Sequence, residues 1–140
     1  MIMITHILVA YDGSEPAAKA FAFATDLAKK YQASLTVLAV SRPPEIAEDV
    51  ETRAILENSR QHYRRLLEPL QRQAAAEQID IHTEIVVGHP AERIIDYAER
   101  HKIDVIVMGH RGKTFFERLR LGSVSQRVLQ YAHCPVIVVR

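Results

Sequence analysis

A single cysteine, Cys134, stands among 140 residues, so no internal disulfide can form and a disulfide-stapled fold is excluded. With no second thiol near it in sequence, it reads as an inert buried group. Five glycines and six prolines without a period exclude a collagen-like repeat. No apolar run approaches the roughly 18 residues that span a bilayer, so no membrane is expected as a partner. The stretch MIMITHILVAYDGS is apolar but carries no basic flank and no small-residue cleavage site, and it runs into a turn signal. It reads as a strand, and with the lone cysteine the expected setting is a reducing cytoplasm. Neither sign of charge dominates: 18 Lys and Arg face 17 Asp and Glu, a net of +1, which argues against nucleic acid. The seven histidines show no metal-ligand spacing.

What is present is ordinary for a soluble globular chain: 48% apolar and 25% charged residues. The length suits one domain spanning 1–140, and a chain of this size buries about 68–70% of its unfolded surface, so it needs no staples. The balance of charge is not local. Residues 1–104 hold 12 basic and 16 acidic side chains, a net of −4. Residues 105–140 hold six basic and one acidic, a net of +5, concentrated at 110–127. A solvated basic loop or a seat for a local anion would each produce that pattern.

Four short apolar runs, Ile7–Ala10, Leu35–Val40, Val105–Met108 and Val136–Val139, are rich in β-branched and aliphatic residues. Runs of this kind suit strands buried on both faces, as in a parallel sheet. A fifth run, Ile81–Val87, alternates and predicts an edge strand with one wetter face. Between the runs lie helical patterns over 15–31 (with Ser14 as N-cap), 49–78, 90–101 (with Pro90 in its first turn) and 123–132. Pro69 predicts a kink or a break in the second. Ser41–Asp49 reads as the one extended irregular stretch. Strictly alternating strands and helices predict an α/β sandwich on a parallel sheet, with right-handed crossovers.

Such sheets bind ligands beyond the carboxyl ends of their strands, where the strand order reverses. Two ends carry glycine with polar groups: Tyr11-Asp12-Gly13-Ser14, and Gly109-His110-Arg111-Gly112 followed nine residues later by Gly122-Ser123-Val124-Ser125. Gly109 and Gly112 predict a backbone that turns tightly and approaches a ligand. Gly122-Ser123 opens the last helix, whose free amides and dipole favour phosphate, with Ser123 as N-cap and Ser123 and Ser125 as hydroxyl donors. Arg111, Lys113, Arg118 and Arg120 add positive charge, and the loop from Lys113 to Leu121 is the element expected to order over phosphates. Phe115 and Phe116 read as pins to the core or a partner. His110 reads either as a phosphate contact or as a solvated loop residue. Asp12 could equally close its turn. The spacing is not that of a Walker-type loop, and no dinucleotide fingerprint or nucleophile elbow occurs.

The pattern G-x2-G-x9-G-S after a buried strand, with ILVAYDGS early and HCPVIVVR at the end, resembles the universal stress protein family. That resemblance implies a three-layer α/β sandwich, adenine nucleotide alpha hydrolase-like, with a five-stranded parallel sheet in the order 3-2-1-4-5 and helices on both faces. It implies an ATP-binding cleft, with AMP or ADP as alternatives and Mg²⁺ as a candidate bridge between phosphates, although no acidic pair near the motif supplies its ligands. It assigns Asp12 to the adenosine, Ala10 and Val40 to the adenine pocket, Gly109, His110, Arg111 and Gly112 to ribose and phosphates, and Gly122, Ser123, Val124 and Ser125 to the phosphates. It also implies a homodimer through Val136–Val139, an apolar edge that otherwise invites association. The function expected is a nucleotide-dependent regulatory module of the stress response, with slow or no hydrolysis, since no base is placed to activate water. The alternatives are an ATPase or adenylyl-transfer enzyme, and a nucleotide-free dimeric interaction module.

Overall fold

The structure, a computed structural model, describes residues 3–42, 49–110 and 121–140. Its elements are β1 (His6–Ala10), α1 (Glu15–Tyr31), β2 (Ser34–Ser41), α2 (Asp49–Ala76), β3 (Ile81–Val87), α3 (Pro90–Arg100), β4 (Val105–Gly109), α4 (Ser123–Tyr131) and β5 (Val136–Val139). Every strand pair is parallel and the order is β3-β2-β1-β4-β5, as expected from the resemblance. The alternating run is an edge strand, also as expected. Most of the stretch read as irregular, 43–48, lies outside the described residues.

Side chains that alternate along each strand build two cores, one on each face. Ile7, Val9, Leu35, Val37, Val105 and Val107 meet Ala20, Phe21 and Ala24 of α1 and Leu67 and Leu70 of α2. Leu8, Leu38, Ile106 and Met108 meet Ala91, Ile94 and Ala98 of α3 and Val128 of α4. Because both faces of β1 and β4 are covered, those strands carry unbroken apolar runs where β3 alternates.

Helix α1 starts where Ser14 Oγ accepts the Ala17 N–H at 3.2 Å, with Pro16 in the first turn where its missing N–H costs nothing. Helix α2 runs as one element through Pro69. An interior proline costs about 3 kcal/mol. Leu67 and Leu70, buried on either side of it, each contribute about 1.5–3 kcal/mol, which offsets that penalty and keeps the helix from splitting.

Two carboxylates fasten the sheet at its margins. Asp104 Oδ2 accepts from the backbone N–H of Thr5 (2.8 Å) and of His6 (2.9 Å) and from Thr5 Oγ1 (2.9 Å), joining the approaches to β1 and β4. These donors, the Thr5 N–H foremost, hold its carboxyl below the ordinary range. Glu84 on β3 accepts from the Tyr97 phenol of α3 at 2.7 Å, and that bond lowers the Glu84 pKa. Burial, and then Glu84 itself, push the Tyr97 phenol up to about 12. Both carboxylates are therefore better accommodated charged in the folded state than in the unfolded one. Their contribution is complete above the ordinary carboxylate range and is lost as pH falls through their lowered folded values. Asp104→Ala is expected to cost about 2 kcal/mol at neutral pH. In urea melts at pH 7 and pH 3 the gap to the unaltered protein should narrow at the lower pH; a gap of equal size at both would contradict this account.

Candidate functional site

At the carboxyl ends of β1, β2 and β4, where the strand order reverses, the structure opens a cleft of about 350 Å³. That falls within the range of roughly 300–1,000 Å³ common to small-molecule sites. Ala10, Leu38, Val40 and Met108 give it an apolar floor. Ser59 and Tyr63 of α2 stand on one side, and Pro90 and Ile94 of α3 on the other.

The β1–α1 turn forms the middle of the rim. Asp12 Oδ1 accepts the Ser14 N–H at 2.9 Å, and Gly13 takes a φ of +84° that L side chains rarely adopt. A Cβ there would also sit 3.0 Å from Leu66 Cδ1. Asp12 thus closes the turn and also lines the cleft. Beside it, burial first and the Asp12 charge second raise the Tyr11 phenol, which stays a neutral hydroxyl at physiological pH.

At the other end, Gly109 and α4 come together. The Ser125 hydroxyl, buried at 3% exposure, donates to the Gly109 carbonyl at 3.3 Å. This bond joins two segments sixteen positions apart, and it commits to the scaffold a proton that was expected to serve phosphate. Gly109 also serves the scaffold. A Cβ there would lie 2.5 Å from the carbonyl carbon and oxygen of Pro16, so the glycine makes room for the first turn of α1.

The α4 N-cap is Gly122, with φ −60° and ψ 152°, and no side chain caps the helix. Ser123, expected as the cap, is the first helical residue; it is exposed and does not line the cleft. The cause is that the Gly122 carbonyl already accepts the Gln126 N–H at 2.9 Å, which starts the helix one residue earlier. The first-turn amides of α4 have no acceptors within the helix and carry its positive pole.

Seven expected residues therefore share one cleft: Ala10, Asp12, Val40, Gly109, Gly122, Val124 and Ser125. His110 is neither solvated nor in the cleft. It is buried, and its N–H extends the ladder to the Val139 carbonyl at 2.7 Å, because the β4–β5 pairing continues one residue past β4. Arg111 and Gly112 lie outside the described residues, as do Phe115, Phe116 and residues 113–120 of the basic loop. Arg42, Ser59, Tyr63, Pro90 and Ile94 line the cleft without having been anticipated. The strand-end rule that led to Asp12 would also have reached Arg42, the first residue past β2. Ser59 and Tyr63 belong to a helix whose phase in sequence marks only its core face.

Among the described residues, no group of three His, Cys, Asp or Glu side chains could hold a metal ion. No described helix is long and apolar enough to cross a membrane. A model of the universal stress protein family matches residues 3–140. The chain belongs to the universal stress protein family. It is 36% identical over 137 residues to a universal stress protein of Methanocaldococcus jannaschii, covering 96% of this chain and 81% of that one. The solved universal stress protein UspA of Lactobacillus plantarum has 33% identity and a TM-score of 0.87, over 97% of each chain. More distant universal stress proteins share the fold. One in complex with cAMP has 24% identity and a TM-score of 0.78, over 99% of this chain and 98% of that one. One from Archaeoglobus fulgidus with dAMP has 22% and 0.68, over the whole of both chains. One from Arabidopsis thaliana with AMP has 21% and 0.69, over 96% and 90%.

Proposed function

We propose that this universal stress protein binds an adenine nucleotide, ATP foremost, with ADP and AMP as alternatives, and acts as a nucleotide-dependent regulatory module. The observation that carries the proposal is the polarity of the cleft. An apolar floor, widest over Leu38 and Val40 of β2 and continued by Ala10 of β1 and Met108 of β4, shares one hollow with the amide-bearing start of α4, and Asp12 stands on its rim. A base suits the floor, a ribose hydroxyl can donate to Asp12, and phosphate suits the helix start. The adenine class is supported by the cAMP, dAMP and AMP held by proteins of the same fold.

The residues do not fit a Mg²⁺ site. Asp12 is the one carboxylate lining the cleft among the described residues, and its Oδ1 is engaged by Ser14, so no step is assigned to the ion. Among the described residues the cleft is lined by one carboxylate and no histidine, which supports binding with slow or no hydrolysis. The proposal includes a homodimer paired through β5. That strand lies at the sheet edge with Val136–Val139 all half-buried, and an apolar edge of this kind favours a covering partner.

Calorimetric titration with ATP, ADP and AMP, with product analysis of the same samples, tests the reading. Saturable binding near one site per chain without ADP accumulation from ATP is expected. Absence of binding by all three nucleotides would overturn it. Rapid accumulation of ADP or AMP would favour the enzyme reading instead. Sedimentation at micromolar concentration should show a dimer, and a monomer would contradict the β5 pairing.

A further inference from the structure

We propose that Arg42 holds the base by laying its guanidinium plane against the ring face. This rests on the nucleotide reading above. Arg42 is the first residue after β2 and lines the cleft. Sheet order puts β1 between it and β4, where the α4 start lies. At about 4.8 Å per strand, roughly 10 Å separates the ends of β2 and β4. A phosphate seated at α4 therefore leaves Arg42 at the other end of the ligand, beside the apolar surface of Val40, Pro90 and Ile94. Arg42 is exposed and pairs with no carboxylate among the described residues, so its charge is available to a ligand.

The chemistry of guanidinium selects the mode of contact. It offers donors only, in a planar fork. Adenine sets an acceptor next to a donor along its outer edge, so the fork cannot bind that edge with both arms, whereas guanine offers two adjacent acceptors. Every base has a π face, and arginine stacks well on aromatic rings. Against adenine, stacking avoids a clash of donors and leaves the in-plane N–H groups of exposed Arg42 to solvent.

AMP, ADP and ATP should be titrated into the unaltered protein, Arg42→Ala and Arg42→Lys, with thermal melts confirming that the variants fold. Stacking on the base predicts that Arg42→Ala weakens all three nucleotides by the same factor, about 3- to 30-fold, and that Arg42→Lys recovers only part of the loss. A loss that grows from AMP to ATP would place Arg42 on the phosphates and overturn the inference. So would full recovery by lysine, or unchanged affinity in Arg42→Ala. A preference for GMP over AMP that disappears in Arg42→Ala would show an edge contact and overturn stacking. If the unaltered protein binds none of the nucleotides, the functional proposal fails and this inference with it. Normal binding with an indifferent Arg42 sinks only the inference.

Discussion

Gly109→Ala is expected to lower stability by about 3 kcal/mol, the upper end of overpacking penalties. For a chain of this length that corresponds to a fall of roughly 10 °C in melting temperature. The added methyl would meet the Pro16 carbonyl carbon and oxygen at 2.5 Å and Pro16 Cβ at 2.8 Å. Backbone cannot swing aside as a flexible side chain can. Helix α1 is also fixed by its Ser14 cap and by buried Ala17, Ala20 and Ala24, so relief requires either moving the whole helix or bending β4. Either movement disturbs the core and the cleft together. A circular dichroism melt within 1 °C of the unaltered protein would refute this account of the glycine.

Gly122→Val is expected to leave the fold largely intact and to remove the response to nucleotide. Its φ of −60° and ψ of 152° suit any residue, so the backbone accepts valine. Losing glycine at the N-cap costs about 1 kcal/mol. The larger effect is steric, because Gly122 lines the cleft beside the first-turn amides of α4. An isopropyl group there occupies space that a phosphate needs in order to reach them. At 100 times its dissociation constant a nucleotide should stabilise the unaltered protein by about 2.7 kcal/mol. In the variant the gain should fall close to zero in the same melting experiment. Retention of the full gain would remove the α4 start from the binding site. The two glycines are thus expected to fail differently, Gly109 in the absence of ligand and Gly122 in its presence.

The strands were legible because burial on two faces demands unbroken apolar runs, and edge strand β3 stood out by its alternation. Helix α1 was legible through Ser14, whose cap acts within one turn. The other helices were placed to within two residues at each end, by the phase of their apolar residues more than by stop signals. The chain leaves α1, α2 and α3 through Gln32, Gln78 and Lys102, all at positive φ and none of them glycine, so no residue type announces the stop. Pro69 was read by local cost, and the burial that offsets it comes from the distant strands. The site was legible in outline from the strand-end rule and the spacing of its glycines. The reason for Gly109 was not, because its neighbour Pro16 is far away in sequence and comes close only in the fold. His110 was hidden for a similar reason, since the Val139 carbonyl that binds its N–H belongs to another strand.

Backbone amide chemical shifts of labelled protein titrated with AMP report where the nucleotide binds as well as how tightly. Saturable shifts are expected at Asp12, Gly109, Gly122, Ser123 and Val124, with little change at His82, Glu84 and His101, which line a separate groove with His6 and Ser34 toward the amino ends of the strands. Saturable shifts confined to the His82–Glu84–His101 groove, or none at Gly122–Val124 at any AMP concentration, would contradict the placement of the nucleotide in the cleft.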